Sequence, residues 1–367
     1  MSKVNLTYAS AGVNYDALDP FKRLAQASAV MTAGNIARLG LTEVSASRGE
    51  SAYLIEGPDY YLAHVEEGLG TKNLVADAVH EITGKHYYDA IAQDTVAMIV
   101  NDMITLGALP VSVAMHLGVG DTKWFEDEAR VASLVAGWKR ACDLSRCVWG
   151  GGETPGLGGV VLSGTAVLSG SSIGMIKPKE RLISGNIQDG DAIVMLAGSG
   201  IHANGLTLAR KIAETTGYES KLSDGRSYGE ALLDPTPIYV PVIEDAQNAH
   251  LDLHYAVNIT GHGWRKLMRA VEPFVYEIET IPEPQPVFTF MQDYGPVDDT
   301  EAYGNFNMGV GFAVYLPMSN VDKFLDISKK CGIKAWLAGR IIKDADHKRV
   351  IIKPKNITYE GETLNVR

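Results

Sequence analysis

Asp94-Thr-Val-Ala-Met-Ile-Val-Asn-Asp-Met-Ile-Thr-Leu-Gly-Ala-Leu-Pro110 carries apolar side chains at Val96, Ile99, Val100, Met103 and Ile104 before it meets Gly107 and Pro110. That three-to-four spacing puts the five on one helix face, and the glycine and proline supply a stop, so an amphipathic helix is predicted from Asp94 to Leu106. Asp94 and Asn101 are seven residues apart, nearly eclipsed and about 10 Å apart along the axis, with Asp102 on an adjoining face. Such a row can present two carboxylates and an amide to a magnesium–nucleotide complex. The same residues also suit an N-capping Asp94 and a solvated Asn101-Asp102 pair.

On the N-terminal side of this helix, Tyr60 to Val65 has the mixed pattern of a strand and runs into Glu67-Gly-Leu-Gly-Thr-Lys72, a tight glycine loop. On its C-terminal side, Val131, Leu134, Val135 and Trp138 predict a second helix over about 125–144, followed by Gly150-Gly-Gly-Glu-Thr154. Residues 160–168 read as β-rich and 173–176 as their continuation, while 177–185 is polar and turn-forming. The second half opens with a short apolar run at 191–196, then Gly198-Ser-Gly-Ile-His-Ala-Asn-Gly205, then a helical pattern from Leu206 to Ala213. A helix over 263–271, a strand over 309–316 and a helix over 321–331 complete the reading. Strands and helices mix without strict βαβ alternation, which predicts an α+β protein of two domains, 1–178 and 179–367.

The length of 367 residues suits two domains at roughly 100–200 residues each. Acidic residues outnumber basic ones by 44 to 33 and no dense Lys/Arg cluster occurs, so nucleic acid is not an expected partner. No apolar signal core opens the chain and no apolar run reaches about 18 residues, so the expectation is a soluble, cytoplasmic protein with no membrane partner. Cys142, Cys147 and Cys331 are too few and too irregular for a disulfide framework or a thiolate metal site.

Phosphate chemistry needs backbone N–H groups or cations aimed at oxyanions, and carboxylates that hold magnesium. No G-x-x-x-x-G-K-[ST] loop is present, and Gly198 and Gly200 are followed by glycine only at 205, which misses the dinucleotide spacing. Glu67 to Lys72 instead offers an acid, two glycines, a hydroxyl and an ammonium within six residues, although a surface turn with a solvated lysine fits them equally. Glu153 and Thr154 follow three glycines, which let a backbone approach a ligand; a turn between elements fits as well. His202 precedes a helix start, where a neutral imidazole can exchange protons, and Asn204 can cap that helix. Solvent exposure is the plainer reading of such a loop histidine. Asn258-Ile-Thr-Gly-His-Gly263 and Asn305-Phe-Asn-Met-Gly-Val-Gly311 are further glycine-broken polar clusters.

Taken in order, these segments resemble the aminoimidazole ribonucleotide synthetase (phosphoribosylformylglycinamidine cyclo-ligase) family. The matching blocks are residues 6–16, EGLGTK (67–72), DTVAMIVND (94–102), D-x-x-x-x-G-A-x-P from Asp102 through Pro110, GGETP (151–155), GSGIHANGLTLARK (198–211), LLDPTPIYV (232–240), NITGHG (258–263), FNMGVG (306–311) and AWLAGRI (335–341). The resemblance implies two α/β-mixed domains, the first an ATP-binding and dimerisation domain whose sheet joins a barrel across a homodimer. It implies an ATP-dependent ligase of purine biosynthesis: the amide oxygen of formylglycinamidine ribonucleotide is phosphorylated, the amidine nitrogen attacks the activated carbon, and phosphate leaves as the imidazole closes. Carried over residue by residue, it puts Glu67, Asp94 and Asp102 on magnesium and Lys72 on phosphate. Gly68, Gly70, Thr71, Asn101, Glu153 and Thr154 join these on the ATP side. His202, with Lys72, becomes a catalytic candidate, and Gly200, His202, Asn204 and Gly205 line the ribonucleotide substrate.

Three departures stand out. Glu67 replaces the family's aspartate, Val44 to Ala52 replaces a glycine-phenylalanine segment, and 156–172 lacks the family's tyrosines and carboxylates. Another ATP-dependent enzyme of the superfamily, such as a thiamine-monophosphate kinase or a different amide-activating enzyme, is the alternative, as is a non-catalytic nucleotide-binding relative. Selenophosphate synthetase is disfavoured because the first cysteine is Cys142, and the hydrogenase-maturation dehydratase because the chain ends in ETLNVR.

Overall fold

The computed structural model describes residues 15–183, 185–295, 297–344 and 346–364. The opening block at 6–16 therefore lies outside the described residues but for its last two positions. Two mixed sheets organise the rest. The first holds β1 (Thr42–Glu43), β2 (Tyr53–Glu56), β3 (Tyr61–Gly68), β4 (Leu109–Val119), β5 (Val148–Glu153) and β6 (Ala166–Ile176) in the order β1-β2-β3-β6-β4-β5, with β4 and β5 parallel. The second holds β7 (Ala192–Ala197), β8 (Tyr255–Asn258), β9 (Phe274–Ile278), β10 (Val310–Leu316), β11 (Ala335–Lys343), β12 (Arg349–Ile352) and β13 (Ile357–Glu360) in the order β13-β12-β9-β11-β7-β10-β8, with β12 and β9 parallel. Two α/β-mixed units, rather than one doubly wound sheet, are the architecture, as the lack of βαβ alternation predicts.

The two sheets treat their faces differently. Every residue of β10 is buried, so that strand is covered on both sides. Along β6 burial alternates, and Val167 and Ile173 point outward at 47 % and 54 % exposure. The first sheet thus covers one face with helices and leaves the other open. Helix α1 (Tyr15–Val30) is also poorly covered, with Phe21 and Leu24 largely exposed. Helices α2 (Lys72–Thr83), α3 (Tyr88–Met103) and α4 (Glu128–Leu144) accompany the first sheet, and α5 (Leu206–Thr216) follows β7.

Helix α3 corrects the amphipathic reading. It begins six residues before Asp94, because Tyr88 and Ala90 to Ala92 are buried and continue the helix, so Asp94 is an interior residue and not a cap. Thirteen of its 16 residues are buried, with β3, β6 and α4 packed around it. Each fully buried valine or isoleucine here, such as Val100 or Ile99, contributes roughly 1.5–3 kcal/mol of transfer free energy. The stop at Gly107 holds, with φ at +80°, and a Cβ there would lie 2.3 Å from the Arg181 carbonyl oxygen. Only glycine lets that turn pass so close to the connection into the second unit.

Two other expectations shift. Residues 156–165 contain no strand, since the glycines there break extension and Val160 and Leu162 stand exposed; β6 starts at Ala166. The helix expected over 263–271 is a 3-10 segment, Gly263–Met268.

Candidate functional site

The C-terminal ends of β3 and α3 converge on residues 258–269 of the second unit and enclose a cleft of about 390 Å³. Alternation along β3 turns Val65 and Glu67 toward the helices, so Glu67 reaches the cleft rim beside Asp102 from the last turn of α3. Asn258, at the end of β8, donates to Asp102 Oδ1 at 2.7 Å. Lys266 lies on the facing 3-10 segment and donates to Thr260 Oγ1 and to the Asn258 carbonyl. Asn204, from the loop after β7, lines the same cleft.

The electrostatics of this group are unusual. Burial raises the Glu67 carboxyl to about 7, the Asp102 carboxylate adds to that rise, and Lys266 and Arg269 oppose it. Burial lowers the Lys266 ammonium to about 8, against the pull of Asp102 and Glu67. The His262 imidazole falls to about 4 through burial and the nearby Arg265, Lys266 and Lys22 charges. Two carboxylates on one wall thus face cations on the other, across a cleft that both units build. Hard oxygen ligands for a dication and donors for an anionic phosphate are the two parts of a metal–phosphate site.

Other residues named from sequence lie elsewhere. The Lys72 ammonium is fully buried, 2.6 Å from Asp94 Oδ2, and donates to the Asp234 carbonyl at 2.9 Å. Asp94 Oδ1 accepts from the Thr236 backbone N–H and hydroxyl. Asn101 donates to the Pro237 carbonyl and accepts from the Tyr239 N–H. The eclipsed row is real, but it clamps residues 234–239 of the second unit against α3. Asp94, Lys72 and Asn101 thus face this clamp, and none of the three lines the cleft; Lys72 is buried rather than the solvated lysine of a surface turn.

His202 is buried, against the solvent exposure expected of a loop histidine. Its Nε2 accepts from the Ser199 N–H at 3.2 Å, and burial together with Lys72 lowers the ring to about 3. A ring so held stays neutral near pH 7 and steadies the loop. Asn307 donates to the Gly200 carbonyl, and Gln285 to that of Gly198, fixing the same loop. Gly205 starts α5 at φ +89°, and a Cβ there would meet the Phe306 ring at 2.6 Å. Asn204 is the loop residue that this packing presents to the cleft.

Glu153 ends the edge strand β5 and Thr154 follows it, both exposed, and the ladder Gly68–Ser169–His116–Glu153 puts Glu153 three strands from Gly68, about 14 Å across the sheet. That row belongs to the open face, opposite the face on which Glu67 meets Asp102. Gly70 and Thr71 join Gly68 in the turn between β3 and α2.

Lys266 and Arg269 escape the sequence reading. The available signal is two basic residues three apart just after the Asn258–Gly263 loop. Arg269 donates to Ser51 Oγ at 2.9 Å and to the Gly49 carbonyl at 2.7 Å, so the departed 44–52 stretch is docked at the cleft, where Glu50 and Ser51 form part of the wall.

Comparison with known proteins gives a consistent result. Residues 49–176 match the N-terminal domain, and 188–352 the C-terminal domain, of AIR synthase related proteins. The chain is 35 % identical over 341 residues to a phosphoribosylformylglycinamidine cyclo-ligase of Methanococcus maripaludis, covering 92 % of each chain. It is 32 % identical over 343 residues to the protein of the same name from Methanocaldococcus jannaschii, again covering 92 % of each. Among solved structures, T. maritima PurL complexed with FGAR aligns with a TM-score of 0.59 at 14 % identity, over 91 % of this chain and 50 % of that one. AaThiL complexed with AMPPCP and TMP aligns with a TM-score of 0.57 at 16 % identity, over 84 % and 89 %. These two likenesses concern the fold alone.

Proposed function

The chain belongs to the phosphoribosylformylglycinamidine cyclo-ligase (aminoimidazole ribonucleotide synthetase) family, and from that premise we propose that it converts formylglycinamidine ribonucleotide to aminoimidazole ribonucleotide in the cytoplasm, using ATP and releasing ADP and phosphate. The observation that carries this reading to a place in the molecule is the cleft in which Glu67 and Asp102 face Lys266 and Arg269.

An amide is a poor electrophile until its oxygen becomes a phosphate ester. The γ-phosphoryl group passes to that oxygen, the amidine nitrogen then forms the new C–N bond, and the C–O bond breaks with phosphate as leaving group. The protein's task is positioning and charge compensation. Glu67 and Asp102 suit magnesium by donor chemistry: two adjacent carboxylates, one held near half-protonation by the other and by burial, are relieved by a hard dication. When bound, the ion offsets charge on the transferring phosphoryl group. Lys266 takes an anionic oxygen in place of Thr260, Asn204 orients the ribonucleotide, and the Gly68-Leu-Gly-Thr71 turn offers backbone to the nucleotide.

We assign residues 1–178 to nucleotide binding and dimerisation and 179–367 to the opposite wall. Support for a homodimer comes from the open face of the first sheet, with Val111, Val167 and Ile173 exposed, and from the uncovered Phe21 and Leu24 of α1. Glu153 and Thr154 lie on that open face, so they join the ATP site through the dimer.

The test is purified protein with ATP, magnesium and formylglycinamidine ribonucleotide, following ADP and aminoimidazole product together. Equal amounts of both are expected. ADP formed only with another acceptor would make the chain a kinase or another amide-activating enzyme on this fold, and failure to bind ATP would make it a non-catalytic relative.

A further inference from the structure

Away from the cleft, the last turn of α2, the loop after it and the start of α4 bring His80, His86 and Asp127 together. One ligand atom from each lies within 4.8 Å of the others. The two imidazole rings stack at 4.0 Å with planes 13° apart, and His86 Nε2 lies 3.3 Å from Asp127 Oδ1. Gly84, in the left-handed conformation at the end of α2, turns the chain back so that His86 returns over His80. His80 Nδ1 is buried and has no hydrogen-bond partner among the described residues, although an imidazole nitrogen removed from water ordinarily acquires one. His80 is eight residues beyond Lys72 on α2, about 12 Å along its axis, and no residue of this trio lines the cleft.

We propose that His80, His86 and Asp127 bind one divalent transition-metal ion of the zinc class. Two imidazoles and one carboxylate form a nitrogen-rich, borderline donor set that favours zinc, cobalt(II) or nickel(II) over magnesium or calcium. Three protein ligands leave a position for water. The partly open setting, with the His86 and Asp127 side chains 15 % and 31 % exposed, lets an ion enter without unfolding. Arg130 fixes the carboxylate: its backbone N–H donates to Asp127 Oδ1, and its guanidinium stacks over Trp124 and donates to that residue's carbonyl. Its positive charge makes the site weaker than a closed four-ligand zinc centre. The ion ties the end of α2 to the start of α4, so its role is to brace the first unit, separately from the chemistry proposed for the cleft.

Full-length protein stripped with chelator and titrated with zinc by calorimetry, in excess magnesium to occupy the cleft, tests the proposal. One equivalent should bind and raise Tm, and cobalt(II) should give a visible absorption band that zinc abolishes. H86Q, in the partly open loop after α2, and H80Q, each checked for parent-like circular dichroism, should each weaken that binding by more than the roughly 10–100-fold that loss of an outer-shell partner costs. Magnesium-dependent ADP release by H86Q should match the parent chain. No zinc uptake by the parent chain overturns the proposal, as does equal uptake by H80Q and H86Q. Loss of the zinc equivalent in D102N, with retention in H86Q, would move the ion to the cleft and also overturn it.

Discussion

Asp94 and Asp102 leave the same helix about 12 Å apart along its axis, and their surroundings make them different chemical groups. At one end Asp94 is shut against Lys72 and Thr236, with no exposure on either member of the ion pair. At the other end Asp102 spends one oxygen on Asn258 and faces Glu67 and Lys266 in the cleft. One carboxylate docks the second unit onto the first, and the other borders the cleft. Residue type and helical spacing do not distinguish them. What packs over each turn of α3 does: residues 234–239 at the first, and the glycine-broken loop at 258–263 at the second.

The largest effect should come from breaking the closed end. Asp94→Ala leaves the Lys72 ammonium buried without its counter-ion and should cost about 3–5 kcal/mol of stability, read by chemical denaturation. A cost below about 1 kcal/mol would remove the clamp from the account. Next, His202→Ala should cost about 1–3 kcal/mol by leaving the Ser199 N–H without its acceptor. The pH profile of turnover near neutrality should keep its shape in this variant, and loss of an inflection there would return His202 to proton transfer.

The open end should respond to protons. Glu67 is raised to about 7, so its protonated form favours the fold at low pH and that contribution is lost as pH rises through about 7. Magnesium needs the ionised form, so each pH unit below about 7 should weaken its binding by up to about tenfold. Glu67→Gln should flatten that dependence. A slope of equal size in Glu67→Gln would assign it to another group.

Much of the local structure was legible because it is written in neighbouring residues. The α3 periodicity, the Gly107 stop and the strand–loop–helix at 191–213 depend on contacts a few residues long. Glu67, Asp102 and Asn204 were legible as motif members, and the structure brings them to one cleft. Where Lys72, Asp94, Asn101 and His202 pack was hidden for the opposite reason. Their roles are set by partners such as Thr236, 142 residues from Asp94, and no local pattern states whether a carboxylate will meet water or a buried lysine. Lys266 and Arg269 went unseen because their significance lies in the wall they face across the cleft.

The central claim is that α3 divides its two carboxylates between docking and magnesium. Its most direct test is a magnesium titration of ADP release, with thermal denaturation, for Asp102→Asn beside Asp94→Asn. Asp102→Asn should keep the parent Tm and need at least about tenfold more magnesium, while Asp94→Asn should lose Tm and keep the parent magnesium requirement in its folded fraction. The reverse pattern, with magnesium dependence moving in Asp94→Asn alone, would contradict the account.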